Sequence, residues 1–170
     1  LARNDAIAAT IGNEPAAITR LVSLLEDQDA NVRVNAAGAL ESLARNDANI
    51  VTIGNEPTAI TRLVNLLEDQ NERVRKNAVY ALRNLARNDA IAATIGNEPA
   101  AITRLVNLLE DQNANVRINA AGALESLARN DANLVTISNK PTAITRLVHL
   151  LEDTKERERD NPLYSLTNPP

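Results

Sequence analysis

The sequence predicts an all-α solenoid, a fold in which helical units stack in one row. The first observation is an internal repeat: the string Leu-Ala-Arg-Asn-Asp-Ala begins at Leu1, Leu43, Leu85 and Leu127, so the period is 42 residues. The second observation is composition, because 44% of the 170 residues are hydrophobic and only 1% are aromatic. The core must therefore be built from Ala, Leu, Ile and Val. A unit of this length cannot bury its apolar face alone, so neighbouring repeats must pack together.

The repeats divide the chain into four units, which we expect to form a single domain over residues 1–170. The units are residues 1–42, 43–84, 85–126 and 127–168. The first and third units are nearly identical, whereas the second resembles the fourth more loosely, so the array has the order A-B-A-B. Both a recent duplication and a deliberate assembly produce this order.

Each repeat is predicted to begin with a short helix, which the second repeat illustrates. Asn46 and Asp47 supply polar N-cap candidates, and the helix is predicted to end near Ile53. Gly54 is expected to end it in the left-handed conformation that glycine adopts at little cost. Pro57 then fits the first turn of a second helix, where its missing N–H is not needed.

The second and third helices carry most of the apolar positions. The second helix is predicted to run to about Asp69, and the polar pair Gln70-Asn71 separates it from the third. The third helix is predicted from about Glu72 to Ala86. Its apolar residues recur at helical spacing, and they are Val74, Ala78, Ala81, Leu82 and Leu85. Three helices per repeat are therefore expected.

Both ends of the array depart from this pattern. At the C-terminal end, Glu158 and Pro162 stand where the second repeat has core-facing Val74 and Ala78. Residues 155–162 are therefore not expected to complete a regular third helix. At the N-terminal end a preceding third helix is missing, which is expected to leave four apolar residues without a packing partner: Ile7, Ile11, Ile18 and Leu21. Open apolar ends favour association.

Two segments of the second repeat resemble the armadillo repeat. They are Pro-Thr-Ala-Ile-Thr-Arg-Leu-Val-Asn-Leu-Leu, which starts at Pro57, and Asn-Ala-Val-Tyr-Ala-Leu-Arg-Asn-Leu-Ala, which starts at Asn77. The 42-residue period and the three-helix layout also match that family, whereas a HEAT array, the alternative, usually has two helices per repeat. The resemblance implies a right-handed superhelix without enzymatic activity. It also implies a concave groove along the third helices that binds an extended peptide or a partner protein.

The same resemblance suggests individual binding residues. In peptide-binding members of the family, a Trp walls the side chains of the peptide, and an Asn one turn later holds its main chain. The second repeat has Tyr80 and Asn84 at these positions. The equivalent pairs in the other repeats are Gly38 with Ser42, Gly122 with Ser126, and Tyr164 with Asn168. A tyrosine at this position also suits a purely structural role, in which it fills the space beside its glycine neighbours.

Basic residues accompany Tyr80 on one face of its helix. The face consists of Arg73, Lys76, Asn77, Tyr80, Arg83, Asn84 and Arg87. Family members that bind basic peptides carry an acidic residue three positions before the Trp, and the residues at that position here are Asn35, Asn77, Asn119 and Asn161. We therefore predict an acidic or neutral partner segment rather than a lysine-rich one. The main candidates for partner binding are Tyr80, Asn84, Arg73, Lys76, Asn77 and Arg83, and the secondary candidates are Asn35, Ser42, Asn119, Ser126 and Tyr164.

Charged residues also have a structural interpretation. Glu41, Arg83 and Glu125 occupy equivalent positions in successive repeats and are expected to form ion pairs between them. The adjacent pairs Glu68-Asp69 and Glu110-Asp111 are expected to be solvated helix ends. They do not resemble a catalytic pair, because adjacent helical side chains point about 100° apart and do not converge.

Composition excludes several function classes. The chain has no Cys and a single His, His149, which is expected to be exposed, so neither thiol chemistry nor a multi-histidine metal site is available. A net charge of -4 gives no support for a nucleic-acid partner, and no apolar run reaches the roughly 18 residues of a membrane span. We predict no cofactor, no nucleic-acid partner and no membrane partner, and a cytoplasmic location with the nucleus as the alternative.

Two functions remain after these exclusions. The preferred one is a non-enzymatic protein–protein interaction module that binds an extended peptide or a partner protein along the third helices. The alternative is a structural scaffold that associates head to tail through open solenoid ends, since such heterologous contacts need not close into a ring.

Overall fold

The computed structural model describes residues 14–159 and, within them, every side chain except those of Pro15 and residues 153–159. The described residues form ten α-helices and no strand, and successive repeats stack on one another, which confirms the predicted all-α solenoid. The first repeat contributes α1 (Pro15–Ser23) and α2 (Ala30–Leu43), and the second contributes α3 (Asp47–Gly54), α4 (Ala59–Asn65) and α5 (Glu72–Leu85). The third contributes α6 (Asp89–Asn97), α7 (Ala101–Asn107) and α8 (Ala114–Leu127), and the fourth contributes α9 (Asp131–Ser138) and α10 (Pro141–Arg159).

Asparagine side chains cap α3 and α5, as the sequence predicts for Asn46. Asn46 caps α3 by accepting a hydrogen bond from the backbone N–H of Ala48 at 3.0 Å. Asn71 caps α5 in the same way by accepting from Arg73 N–H at 2.9 Å. These caps satisfy backbone donors that have no partner within the helix, so each cap fixes the start of its helix.

Glycine does not end the short helices in the predicted manner. None of the described glycines has a positive φ, and α3 continues through Gly54. A Cβ atom on Gly54 would collide with the Ile91 side chain of the next repeat, and one on Gly96 would collide with Asn133. The expectation for Gly54 is therefore wrong, because the residue is needed for close approach between repeats and not for a left-handed turn.

Two residues other than glycine adopt the left-handed conformation instead. Thr58 has φ 68° and Ala100 has φ 66°, and the helices α4 and α7 begin directly after them. Pro57 therefore precedes its helix by two residues, which corrects the prediction that it lies in the first helical turn. In the fourth repeat Pro141 does occupy the first position of its helix.

Replacing Thr58 by Gly should stabilise the protein. A left-handed conformation costs an L-residue about 1–2 kcal/mol, and glycine removes this cost while losing somewhat more backbone entropy on folding. We expect the free energy of unfolding in urea to rise by about 0.5–1 kcal/mol. Thr142 is the matched control, because it occupies the equivalent position inside α10. Thr142→Gly should destabilise by about 0.3 kcal/mol, because Gly is only slightly less favourable than Thr within a helix, and equal losses in both variants would contradict the assignment.

The fourth repeat lacks a separate third helix in its described part. Where the second repeat turns at Asn71, the fourth has Lys155, and α10 continues without a break to Arg159. The N-cap is lost at this position, and Lys, Glu and Arg are good helix formers, so the second helix extends. Residues 155–159 are thus helical as an extension of α10. Pro162, Tyr164 and Asn168 lie outside the described residues.

The core is a continuous row of aliphatic side chains along the array. Val74 and Ala78 are fully buried at the positions predicted for them. Ile18 is also fully buried, so the expectation that it lacks a packing partner is wrong, because α1 packs on α2 of its own repeat. Leu21 is partly exposed, as expected, and Ile7 and Ile11 lie outside the described residues. Between residues 14 and 159, no helix combines the length and apolar character needed to cross a membrane.

Candidate protein-binding groove

The third helices α2, α5 and α8 lie side by side. The α2–α5 and α5–α8 pairs form the most extensive helix contacts of the described chain. We call the exposed surface shared by these three helices the third-helix groove. Most of the sequence-predicted binding residues belong to it, so their surroundings determine what the surface can bind.

Tyr80 lies at the centre of the third-helix groove. Its side chain is partly buried and packs against the aliphatic core. The exposed part of the ring lines two clefts, one of about 500 Å³ shared with Arg83 and Asn84 and one of about 260 Å³ shared with Lys76 and Asn77. Tyr80 therefore supports the fold and also presents a surface on which another chain can pack.

Two asparagines connect α5 to α2. The side-chain amide of Asn77 donates to the carbonyl of Val34 at 2.9 Å, and that of Asn84 donates to the carbonyl of Glu41 at 3.3 Å. A primary amide has two N–H donors and one acceptor oxygen. Asn84 thus keeps one donor and its Oδ1 for a ligand, in addition to a structural role that the sequence did not predict.

Arg83 extends over the third repeat. Its Nη1 donates to Oδ1 of Asn119 at 2.8 Å, and the amide nitrogen of Asn119 donates to the carbonyl of Asn115 at 2.7 Å. Asn119 is only 2% exposed, so it does not present a surface to a partner, contrary to its place among the secondary candidates. The Arg83 side chain fills the space beside Gly122, where an added Cβ would lie 2.6 Å from Nε.

This arrangement explains why two repeats have glycine at the aromatic position. Asn77 lies over Gly38 as Arg83 lies over Gly122, and an added Cβ on Gly38 would approach the Asn77 amide nitrogen to 2.9 Å. Both glycines therefore accommodate side chains from α5. The aromatic position is free to carry a ring only in the second repeat of the described chain, where Tyr80 stands.

The predicted ion pairs of Glu41 and Glu125 with Arg83 are not formed. Glu41 pairs instead with Arg45, one turn later, at 2.8 Å. No ion pair joins Arg83 to either glutamate in the described part of the chain, because its guanidinium is directed toward Asn119. Two residues after the end of α5, Arg87 pairs with Asp47 at 2.7 Å.

The other candidate residues are more dispersed. Arg73 and Asn35 are exposed, and Ser42, also exposed, donates to Oε2 of Glu41 at 3.2 Å. Ser126 donates to the carbonyl of Gly122 at 3.0 Å and lines the larger cleft. Tyr164 lies outside the described residues. The structure thus brings together Tyr80, Asn84, Lys76, Asn77 and Arg83 around the two clefts.

Sequence reasoning missed the clamps between repeats, which are ion pairs between an Arg of one repeat and an Asp of the next. Arg33 donates to Asp69 at 2.8 Å, and Arg75 donates to Asp111 at 2.7 Å. The two aspartate side chains are only 8% and 6% exposed, so they are not solvated helix ends as predicted. The hydrogen bond to Asp69 raises the pKa of Arg33 above its ordinary value, although burial opposes the shift. The sequence signal that could have revealed these clamps is the recurrence of Arg at 42-residue intervals, at Arg33, Arg75 and Arg117.

A further cleft lies between the third and fourth repeats. His149 is exposed as predicted and lines a cleft of about 540 Å³ with Arg117 and Arg146. Among residues 14–159, no group of three or more His, Cys, Asp or Glu side chains is placed to hold a metal ion.

Comparisons with known proteins place the chain among helical-repeat families. The family model described as Armadillo/beta-catenin-like repeat matches residues 16–45. The model described as non-SMC mitotic condensation complex subunit 1 matches residues 55–168, which is more than half of the chain. No curated protein matches.

Solved structures of designed proteins are similar over most of the chain. An engineered protein is 27% identical with a TM-score of 0.66, over 87% of this chain and 59% of its own, so this chain spans somewhat more than half of that protein's length. A designed armadillo repeat protein in complex with the peptide (KR)4 is 27% identical with a TM-score of 0.61, over 81% and 64%. A computationally designed armadillo repeat protein for modular peptide recognition is 27% identical with a TM-score of 0.63, over 87% and 71%.

The fold, the repeat match and the designed neighbours agree with one another. Proteins with the armadillo repeat fold form a class of non-enzymatic binding scaffolds. The chain therefore belongs to the armadillo repeat family and, by the model that covers most of its length, to the family of the non-SMC mitotic condensation complex subunit 1.

Proposed function

We propose that the protein binds an extended, acidic or neutral segment of a partner protein along the third-helix groove, with Tyr80 and Asn84 at the centre of the contact. The observation that carries the proposal is the position of Tyr80, which lines both clefts. An aromatic ring offers a large contact area at a low cost in conformational entropy. Asn84 supplies the remaining amide donor and acceptor for a peptide main chain.

The charges of the two clefts support an acidic or neutral partner. Five cations and two anions line them: Arg45, Lys76, Arg83, Arg87, Arg129, Glu41 and Glu125. The negative charge of Glu41 is already paired with Arg45, whereas Lys76 and Arg129 form no ion pair within the described residues. The groove therefore has an excess of positive charge, which attracts carboxylates and repels lysine-rich chains.

The comparisons support a protein partner in a general way. Two designed neighbours are described as peptide-recognising or as a peptide complex, and the matching condensation family is named as a subunit of a complex. The designed neighbour with (KR)4 holds a basic peptide. The preference of the present chain is proposed to be the opposite because Asn35, Asn77 and Asn119 stand where basic-peptide binders carry acidic residues.

Fluorescence anisotropy with labelled extended peptides tests the proposal. The probes are a peptide of alternating Glu and Ser and a matched peptide of alternating Lys and Ser. We expect the acidic probe to bind more tightly, and Tyr80→Ala and Asn84→Ala each to weaken its binding by about tenfold, as is usual for a central contact residue. Tyr80→Phe keeps the ring and should retain binding, and Gln70→Ala, on an exposed loop, should have no effect.

The outcomes separate the two parts of the proposal. Unchanged affinity in Tyr80→Ala and Asn84→Ala would remove the groove site. Tighter binding of the lysine probe with a loss in the same variants would keep the site and overturn the predicted charge preference. Circular dichroism of each variant shows whether a loss of binding reflects a loss of helix, which matters for Tyr80 because part of its ring packs against the core.

A further inference from the structure

The first repeat exposes an apolar surface that is buried in the later repeats. Leu24 is 40% exposed, whereas Leu66 and Leu108, at the same repeat position, are 7% and 6% exposed. Around Leu24, α1 and α2 form a cleft of about 550 Å³. We call its apolar lining the front face, and it consists of Ala17, Leu21, Leu24, Ala39 and Leu43. A surface of this kind marks an association site.

The fourth repeat exposes a second apolar surface at the other end of the array. Ile144, Val148 and Leu151 follow one another at i, i+4 and i+7 along α10 and are 50%, 46% and 62% exposed. Their counterparts in the third repeat are 4%, 2% and 3% exposed, and these are Ile102, Val106 and Leu109. We call the stripe on α10 the back face.

The charged residues beside the front face and the back face are complementary. They occupy the repeat positions at which an Arg and a Glu of successive repeats form an ion pair. Inside the array, an Arg of each second helix reaches back to a Glu of the preceding repeat at 2.8 Å, and the pairs are Arg62–Glu26, Arg104–Glu68 and Arg146–Glu110. Arg20 lies beside the front face at the repeat position of Arg62, and Glu152 lies beside the back face at the repeat position of Glu110. Both are exposed, and neither forms an ion pair within the described residues.

We propose that the protein associates head to tail with a second copy of itself, with the α10 back face of one molecule docked in the front face of the next. Arg20 of one copy then pairs with Glu152 of the other, which continues the Arg–Glu series that joins the repeats within each chain. A second copy is the occupant because the two faces provide both halves of this contact. The contact is heterologous, so it extends into chains.

Sedimentation equilibrium of two variants, each with Glu in place of one apolar residue of a face, tests the head-to-tail contact. We expect the average mass of the wild-type protein to rise with concentration. Leu24→Glu blocks every front face and Val148→Glu blocks every back face, so each variant alone should be monomeric at all concentrations. Their mixture should form dimers and nothing larger, because each variant retains the face that the other needs. Gln70→Glu, on an exposed loop, is the control and should associate as the wild type does.

A charge exchange provides a second test that leaves the apolar faces intact. Arg20→Glu and Glu152→Arg should each weaken association by about tenfold through like-charge contacts, and mixing the two variants should restore it. A wild-type protein that stays monomeric would overturn the proposal, and so would a mixture of Leu24→Glu and Val148→Glu that stays monomeric. If the wild type is monomeric and Leu24→Glu unfolds at a lower midpoint than the wild type, another part of the same chain covers the front face in place of a second copy.

Discussion

Arg75→Ala should lower the free energy of unfolding by about 3 kcal/mol, because truncating one partner of a shielded ion pair leaves the other uncompensated. The Arg75 guanidinium donates to Asp111 at 2.7 Å and to the carbonyls of Asp69 and Gln70 at 2.8 and 3.1 Å. One side chain thus joins the second repeat to the third and also holds the turn before α5. Its loss strands a carboxylate that is only 6% exposed. Urea denaturation followed by circular dichroism measures the change.

Arg73 provides the control on the same helix. It is exposed and forms no ion pair among the described residues, so Arg73→Ala should change stability by less than about 0.5 kcal/mol. The double variant Arg75→Ala with Asp111→Ala should recover part of the loss, since no unpaired charge remains. If Arg75→Ala costs no more than Arg73→Ala, the clamp does not stabilise the array.

Gly96→Ala should destabilise the protein by about 2 kcal/mol, although alanine ordinarily favours a helix over glycine by about 1 kcal/mol. The added Cβ would collide with the side chain of Asn133, which is 3% exposed and donates to the carbonyl of Ala92 at 2.9 Å. Asn133 must move away, and the buried hydrogen bond between the third and fourth repeats is lost with it.

The chain provides its own control for this substitution. The equivalent residue of the fourth repeat is Ser138, which is exposed. Ser138→Ala should leave stability unchanged or raise it by a few tenths of a kcal/mol through helix propensity. A Gly96→Ala variant as stable as the wild type would mean that the repeats can separate slightly at no cost.

The elements that depend on local sequence could be predicted closely. The helix cap at Asn46, the bounds of α5 and the burial of Val74 all follow from side chains within a few positions of one another. Capping and helical periodicity act over one or two turns, so a single repeat contains the information for its own helices. The 42-residue period then reproduces these elements along the chain.

The sequence predicts that neighbouring repeats contact one another, but it does not predict which residues form the contacts. Gly54 suggested a left-handed turn because that is the commonest local reason for a glycine at a helix end, whereas the actual reason is the Ile91 side chain of the next repeat. Arg83 has several polar groups within reach. It donates to Asn119 and does not pair with Glu125, and this outcome depends on the exact stacking of α5 on α8. Tyr80 was identified from the resemblance, while the two clefts beside it required the structure.

The uninterrupted run of α10 to Arg159 also determines the extent of the third-helix groove within the described residues. Because α10 does not fold back, the groove of the described residues consists of three helices and the two gaps between them. Packed helices lie about 10 Å apart, so the outer two are separated by about 20 Å. An extended peptide advances about 3.3 Å per residue. Within the described residues, a segment bound as proposed would therefore contact the groove over about six of its residues.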